Sequence, residues 1–310
     1  MERRDYLIKT FSRTKRKDFE NYILNAIWHR LDNPNIQPVS QQYVKRPNGS
    51  YALIDLYFPQ LHIGIEVDEA HHFAQIDADQ LRTEDILTAL EEDANTLKMD
   101  HIIGAVEENS TSQFQIFRID ATLPLHELHQ QIDQVVHHIQ QKANTRELQW
   151  LTYEEELERV KRQTSLSIND AVAFKYIRDI ANTVFGKNNK ANQQSYFKVT
   201  DEITLWCPQL SPIIDGEVRS MAGGWLNFLA DDWSYIDESN KDVNTVDERL
   251  KNLEKKQKED RTLAVFAKFK DNLGINRYRF VGMFKLAGIS PDDDRFLRYV
   301  KIGDSVPVTQ

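Results

Sequence analysis

The sequence predicts an α+β or α/β protein of two domains, a mixed sheet flanked by helices followed by a strand-rich domain with helices. Three observations support this fold class. The 310-residue chain is long enough for two ordinary domains. Helical and strand patterns alternate in the first half, whereas short strands separated by turn residues prevail from about residue 166. A charged, poorly apolar stretch lies between them, so we predict domains at 1–145 and 166–310 joined by a helical linker at 146–165.

Composition restricts the class of protein further. Hydrophobic residues make up 40% and charged residues 28% of the chain, with 11 Gly and 9 Pro, as in a folded rather than a fibrous or disordered protein. No apolar run approaches the roughly 18 residues of a membrane span, and the first residues lack the apolar core of a secretory signal. The single cysteine, Cys207, excludes an internal disulfide and a multi-cysteine metal site. We therefore expect a cytoplasmic protein in which Cys207 is a small buried residue.

The charge of the chain argues against a protein that coats polyanions through bulk positive charge, because the net charge is -9 and the pI is near 5.5. Local basic clusters nevertheless occur near both ends, interleaved with aromatic residues. Their members are Arg3, Arg4, Lys9, Arg13, Lys15, Arg16 and Lys17, and Lys268, Lys270, Arg277, Arg279, Lys285, Arg295, Arg298 and Lys301. The sequence leaves open whether each cluster contacts phosphates or is a solvated face.

The elements of the first half follow from periodicity. Apolar residues recur at helical spacing from 17 to 31, and the Asp-Asn-Pro at 32–34 ends that helix. The segment PNGS lies between extended runs, which is typical of a hairpin, and an apolar run at 61–67 indicates a central strand buried on both faces. A second helix is predicted at 78–98 and a further strand at 114–120.

The segment 124–140 predicts a helix with one apolar seam. The seam residues recur at alternating steps of three and four: Leu125, Leu128, Ile132, Val135 and Ile139. This pattern suggests self-association of two chains through the first domain. The histidines of the helix are interpreted as solvent-facing or boundary residues rather than metal ligands: His126, His129, His137 and His138.

The second half predicts a strand-rich domain. A helix is expected within 169–185, and strands are expected at 196–200, 202–208, 223–233, 262–270 and 277–288. The segment 237–261 is hydrophilic, so we expect an exposed loop that runs into a short helix.

Three carboxylates lie in or beside the strands of the first domain. Asp55 lies within one predicted strand. Glu66 and Asp68 are two residues apart on another, so their side chains project to the same face of that strand. Burial of several ionised carboxylates without partners is costly. Mg²⁺ would resolve this repulsion, because it binds carboxylate oxygens and retains waters for a substrate phosphate. Alternatively the acids line a sheet edge and pair with Arg or Lys side chains.

The block ALIDLYFPQLHIGIEVDEAHH at 52–72, preceded by a helix with Glu20, resembles the Vsr-like branch of the PD-(D/E)xK nucleases. The resemblance implies a set of catalytic residues, with Asp55, Glu66 and Asp68 as metal ligands, His72 as the group that handles a proton, and Glu20 as an acid that points to the site. Apart from the resemblance, His29 on the same helix as Glu20 is a further candidate, with a structural role as the alternative. His71 adjoins His72. The chain departs from the wider superfamily because Asp68 stands where many members carry lysine, which puts a lysine-assisted mechanism in doubt.

Trp225 and Asn227 are two apart on one predicted strand, after two glycines. Recognition of a flipped base requires a stacking surface and hydrogen bonds to the edge of the base. An indole ring beside an amide would supply both. Gln209 and Glu238 could add polar contacts. The alternative is that the aromatic residues of this half form the core of a small barrel.

Taken over nearly the whole chain, the order of motifs is similar to that of the AbaSI-type modification-dependent restriction endonucleases. The resemblance implies an N-terminal Vsr-like nuclease and a C-terminal SRA-like (SET- and RING-associated) β-barrel domain. It further implies recognition of 5-hydroxymethylcytosine and its glucosylated form in double-stranded DNA by base flipping. A metal-dependent double-strand cut at a distance, with Mg²⁺ as cofactor and two cooperating chains, completes the expectation.

Two rival functions remain open from the residues. One is a non-catalytic reader of modified DNA whose N-terminal domain is a scaffold, and the intact set of carboxylates argues against it. The other is a metal hydrolase that acts on nucleotides or RNA.

Overall fold

The computed structural model describes residues 3–11, 18–46, 50–68, 85–90, 114–145, 147–191, 194–214 and 217–309. The chain forms two compact units, and the main change from the N-terminal to the C-terminal unit lies between Tyr153 and Glu154. Among the residues just given, no helix combines the length and the apolar character of a membrane span.

The N-terminal unit contains a mixed sheet with helices packed on it, as predicted. In the described residues its strands are β1 (Val39–Lys45), β2 (Tyr51–Phe58), β3 (Ile63–Asp68) and β4 (Gln115–Asp120), and its helices are α1 (Arg3–Phe11), α2 (Asp18–Leu31) and α3 (Leu125–Asn144). The sheet order is β1-β2-β3-β4, with antiparallel pairs except for the parallel pair β3–β4. The predicted hairpin and central strand are confirmed. Of the helix predicted at 78–98, only 85–90 is described, and it is helical.

Helix α3 shows that the apolar seam serves the core of its own unit. Leu128, Ile132, Val135 and Ile139 are buried in one cluster with residues of α2 and β3, whereas Leu125 is 63% exposed. The prediction that this seam mediates self-association is therefore wrong, because the seam is already covered within the chain. The four histidines of the helix are exposed or half-buried, as predicted.

The C-terminal unit is built on one long sheet. Its described strands are β6 (Ala173–Phe174), β7 (Tyr196–Lys198), β8 (Ile203–Trp206), β11 (Trp225–Leu229), β12 (Tyr235–Asn240), β13 (Thr262–Lys270), β14 (Asn276–Ile289) and β15 (Leu297–Gly303). They follow the order β11-β12-β15-β14-β13-β8-β7, with β6 beside β14, and only the pair β8–β13 is parallel. Two further small pairs join β5 (Ser165–Ser167) to β16 (Ser305–Pro307) and β9 (Ile213–Ile214) to β10 (Glu217–Val218).

Apolar side chains cover this sheet on both faces. Successive residues of β13 alternate between two clusters, with Ala264 and Phe266 in one and Leu263 and Val265 in the other. The strand is therefore apolar throughout rather than alternating. The helices of the unit are α4 (Tyr153–Lys161), α5 (Ile177–Val184), α6 (Val243–Lys251) and α7 (Leu253–Glu259).

Three expectations for the second half need correction. The segment 237–261 was expected to be an exposed loop that runs into a short helix; it is helical in α6 and α7, but its first residues belong to β12 rather than to a loop. The helix predicted within 169–185 is confined to α5, because β6 occupies part of the segment. Helix α4 lies in the predicted linker, but Val160 is fully buried in the core of the C-terminal unit, so α4 is part of that core.

Most cations of the C-terminal basic cluster are neutralised within the unit. The ion pairs join Arg279 to Asp271, Arg298 to Asp237 and Asp292, Arg295 to Asp293, Lys285 to Asp260, and Lys301 to Asp304. The hydrogen bonds from Arg295 lower the pKa of the Asp293 carboxyl to about 2. This cluster is thus largely ion-paired, with the Arg279–Asp271 pair buried. In the N-terminal cluster, Arg13, Lys15, Arg16 and Lys17 lie outside the described residues.

Gly224 precedes β11 at a point of close approach. Its φ is +80°, and a Cβ there would lie 2.7 Å from Oδ1 of the buried Asn240. We expect Gly224→Ala to destabilise the C-terminal unit by about 1–2 kcal/mol, because both the backbone and the contact resist a side chain. Gly303→Ala is the matched control, since its Cβ would meet only Met283 at 3.7 Å. Calorimetric unfolding should separate the two variants, and equal transitions would contradict the expectation.

Candidate functional site

Two buried acids of the N-terminal unit lie where β2 and β3 separate. The last pair of the ladder between these strands is Leu56 with Ile65, and the next residues are Asp55 and Glu66. Asp55 is 8% and Glu66 6% exposed. The backbone N–H of Val67 donates to Asp55 Oδ2 at 2.8 Å, so the carboxylate replaces a ladder partner. The sheet thereby holds both acids at its point of divergence.

A third acid joins them from helix α2 through an amide. Glu20 is only 3% exposed, although it lies on a surface helix. Gln41 Nε2 donates to Glu20 Oε1 at 2.7 Å and to Asp55 Oδ1 at 2.9 Å. Glu20 and Asp55 are therefore both hydrogen-bonded to Gln41. The sequence alone did not predict this role of Gln41, because a glutamine in a polar strand has no distinctive pattern.

Asp68 has a different environment from Asp55 and Glu66. The guanidinium of Arg118 donates from Nε to Asp68 Oδ2 at 2.9 Å and from Nη2 to Oδ1. Arg118 reaches this place because it stands opposite Glu66 in the parallel ladder of β3 and β4. Asp68 is thus paired with an arginine, which is the alternative that the sequence left open. The three predicted ligands are not assembled as one set.

The predicted histidines do not add to the described cluster. His29 lies nine residues after Glu20 on α2, which is about 2.5 helical turns, so the two side chains project to opposite faces. His29 is accordingly exposed, whereas Glu20 is buried. His71 and His72 lie outside the described residues.

The acids present fit a partly hydrated divalent cation rather than a closed metal cage. In the parts of the chain that the structure describes, no three His, Cys, Asp or Glu side chains are grouped to hold a metal ion. Asp55 accepts hydrogen bonds from Gln41 at Oδ1 and from the Val67 N–H at Oδ2, so its carboxylate is held in a fixed orientation. Mg²⁺ commonly uses one or two carboxylates and completes its shell with waters and substrate phosphate. Asp55 and Glu66 could supply that minimum.

A cavity of about 950 Å³ opens in the C-terminal unit. It brings together the four residues predicted for base binding, which line it jointly: Gln209, Trp225, Asn227 and Glu238. Its volume lies at the upper end of the range of about 300–1,000 Å³ that is usual for small-molecule sites. The cavity is therefore large enough for a ligand of several rings.

Asn227 presents a fixed amide in the cavity wall. It is 5% exposed, and its Nδ2 donates to the Gln209 carbonyl at 3.0 Å. Its backbone exchanges hydrogen bonds with Ser211, whose Oγ accepts from Asn227 N and whose N donates to Asn227 O. Asn227 Oδ1 is buried and has no hydrogen-bond partner among the described residues. An orphaned buried acceptor is costly, so a donor on a ligand would relieve it.

Glu238 and Trp225 are held by one cation that the sequence analysis missed. The guanidinium of Arg249 forms a fork with the Glu238 carboxylate and lies over the Trp225 ring, 4.9 Å from its centroid. Tyr299 OH donates to Glu238 Oε2 at 3.1 Å. Burial, followed by the nearby Glu238 charge, raises the pKa of Tyr299 well above its usual 10, so this hydroxyl remains a donor. Arg249 escaped notice because it lies in the segment expected to be a loop.

Helices α6 and α7 give the cavity a charged rim. Glu248, Lys255, Lys256 and Glu259 line it from these helices, and Asn252 lines it from the junction between them. Burial lowers the pKa of Lys256, and the Arg249 charge lowers it further. Cys207 also lines the cavity, and its burial raises the thiol pKa well above 9, which confirms the expected buried residue.

The fold, the acid cluster of the N-terminal unit and the cavity of the C-terminal unit define a class of two-domain protein. One is a mixed α/β domain with buried acids at the divergence of two strands, and the other is a β-rich domain with a ligand-sized cavity. Comparison with family models then identifies each domain. Residues 4–140 match the N-terminal domain of PvuRts1 I-like restriction endonucleases, and residues 159–308 match the SET and RING associated (SRA) domain. The N-terminal part of the chain is thus similar to the N-terminal domain of the PvuRts1 I-like restriction endonucleases, and the C-terminal part is similar to SRA domains.

A solved structure shares this organisation. The chain is similar to "The 5-Hydroxymethylcytosine-Specific Restriction Enzyme AbaSI" with a TM-score of 0.58 and 24% identity, over 98% of this chain and 96% of that one. The predicted AbaSI-type fold and domain order are confirmed, although the two sequences are only 24% identical. A search of curated proteins found no match.

Proposed function

We propose that the chain is a modification-dependent restriction endonuclease. It recognises 5-hydroxymethylcytosine and its glucosylated form in double-stranded DNA by base flipping, and it makes a metal-dependent double-strand cut at a distance. The SRA family of the second half and the named specificity of AbaSI support the choice of ligand. The observation that carries the proposal is the cavity in which an indole, a buried orphan acceptor and a carboxylate converge.

The cavity suits the energetics of a flipped base. Flipping costs a few kcal/mol of unstacking, and stacking on an aromatic side chain contributes about 1–3 kcal/mol per base. Trp225 would provide the stacking surface. Asn227 Oδ1 would accept from an N–H of the base, whereas the Gln209 amide and Glu238 would complete contacts along its polar edge.

The size and rim of the cavity favour a substituted base. A base fills only part of about 950 Å³. Hydroxyl groups of a hydroxymethyl or glucosyl substituent both donate and accept hydrogen bonds. The rim offers partners of both kinds, since Glu248 and Glu259 accept, Lys255 and Lys256 donate, and Asn252 does both.

The acids of the N-terminal domain would carry out hydrolysis. Restriction endonucleases generally use a divalent metal ion, which lowers the pKa of bound water and neutralises charge at a phosphate. Asp55 and Glu66 would hold Mg²⁺ as ligands, and Glu20 would lie beside them through Gln41. Asp68 would act through the Arg118 guanidinium rather than as a direct ligand. His72 would handle the proton.

A double-strand cut calls for two nuclease domains. We propose a homodimer formed through the N-terminal domain, in which each chain cuts one strand. The apolar seam of α3 cannot supply this contact because it is buried in its own core. Light scattering on DNA of two lengths would detect two chains per duplex, and only monomers at high micromolar concentration would count against the dimer.

One panel of substrates tests the proposed function. The protein is incubated with unmodified, methylated, hydroxymethylated and glucosylated DNA, with and without Mg²⁺. We expect cuts only in the last two DNAs and only with the metal. Binding to them without metal-dependent scission would overturn the nuclease in favour of a reader, and preferential cutting of RNA or nucleotides would favour the second rival.

A further inference from the structure

We propose that Gln41 is a positioning residue of the nuclease centre, where its carboxamide fixes the orientation and spacing of Glu20 and Asp55. The inference rests on the proposed function and deepens it. Gln41 makes no contact with the reacting atoms in this proposal, and it acts through the two acids that it holds.

The hydrogen bonds of Gln41 match the chemistry of a carboxamide. Its NH₂ group has two hydrogens, and it lies 2.7 Å from Glu20 Oε1 and 2.9 Å from Asp55 Oδ1. Because ionised carboxylates only accept hydrogen bonds, the nitrogen must face both of them. A glutamate of the same shape would offer no donor and would add a third negative charge.

The backbone at Gln41 is unusual for a strand. Its φ is +51°, in the left-handed region that favours glycine. The β1–β2 register pairs Ser40 with Leu56 and Gln42 with Ile54, so Gln41 stands opposite Asp55 at a gap in the ladder. A residue with a side chain held in this conformation in mid-strand indicates that its side chain is needed at that place.

The result is an Asp55 carboxylate held at both oxygens. Gln41 holds Oδ1, and the Val67 N–H holds Oδ2. The same amide stands between Asp55 and Glu20 and offsets the repulsion of two buried acids. These two hydrogen bonds fix the rotamer of Asp55, so its carboxylate keeps one orientation in the nuclease centre.

Three variants test the inference. Gln41→Gly removes the side chain and relieves the backbone, Gln41→Glu keeps the shape without the donors, and Gln140→Glu is a remote control, since Gln140 donates to the Arg30 carbonyl. Cleavage of hydroxymethylated DNA is measured against Mg²⁺ concentration, Mg²⁺ binding to the DNA-free protein is measured by calorimetry, and the melting temperature is recorded.

We expect Gln41→Gly and Gln41→Glu to cut about 10- to 100-fold more slowly, as small misplacements of catalytic groups do. Gln41→Gly should also bind Mg²⁺ more weakly, while its melting temperature should fall only slightly, because relief of the left-handed backbone offsets part of the loss of the two hydrogen bonds. A purely structural residue would not give this combination. Wild-type cleavage and Mg²⁺ binding in Gln41→Gly, or a melting temperature so low that the variant is unfolded in the cleavage assay, would overturn the inference.

The outcome separates this inference from the proposed function. If the wild-type protein cuts none of the modified DNAs, the proposed function fails, while the calorimetric comparison still tests Gln41. If the wild type cuts and Gln41→Gly cuts and binds Mg²⁺ equally well, only the role of Gln41 fails.

Discussion

Asp55→Asn should reduce cleavage of hydroxymethylated DNA by about 100- to 1,000-fold, a loss typical of removing one preorganised electrostatic group. The amide keeps the shape of the side chain and an oxygen that can accept the Val67 N–H, but its NH₂ group replaces the acceptor that faced the Gln41 amide. It removes the negative charge that would attract a divalent cation, so the fold should persist while the chemistry fails. Single-turnover cleavage at saturating Mg²⁺ measures the effect.

The control for this variant is another aspartate of the same unit. Asp133 lies on α3, and its exposed side chain pairs with Arg30 at the surface. Asp133→Asn should cut at the wild-type rate. Affinity for modified DNA should be unchanged in both variants, because the proposed base pocket lies in the other unit. Full cleavage by Asp55→Asn would refute the assignment of the nuclease centre.

Trp225→Ala should weaken binding to hydroxymethylated DNA by about 5- to 150-fold, which corresponds to the about 1–3 kcal/mol of one base–aromatic stack. Binding to unmodified DNA should change little, because that binding depends mainly on phosphate contacts. The ratio of the two affinities should therefore fall. Fluorescence anisotropy with matched duplexes at one fixed salt concentration measures this ratio.

A matched aromatic residue controls for general effects of the truncation. Tyr176 belongs to the same unit and also carries an arginine, Arg178, at 4.9 Å over its ring, but it is 55% exposed. Tyr176→Ala should preserve the affinity ratio. Retention of full discrimination by Trp225→Ala would show that Trp225 does not stack a base.

The sequence predicted the strands around the acids because their signals are local. The turn residues and apolar runs of 50–68 are read correctly without tertiary contacts, as β2 and β3 show. The apolar seam predicted helix α3 correctly, but the surface that covers the seam was predicted wrongly. The same spacing of apolar residues covers a core within one chain or a partner in another, and only the neighbouring elements distinguish the two cases.

Strand β12 was missed because most of its buried side chains are polar. Asp237, Glu238 and Asn240 are all less than 10% exposed, although a hydrophilic segment is typical of a loop. Arg298 neutralises Asp237 and Arg249 neutralises Glu238. Partners so distant in sequence give no local pattern, so hydropathy misreads such a strand.

The spacing of residues in the chain was sufficient to place Glu66 with Asp68 on one face and Trp225 near Asn227, because strand geometry has a fixed period of two. The roles of the acids required the folded chain. Arg118 and Gln41 reach their acids only through the pairing of strands, and they hold Asp68 in an ion pair and Asp55 beside Glu20. A carboxylate's partner determines whether it can bind a cation, and that partner comes from elsewhere in the sequence.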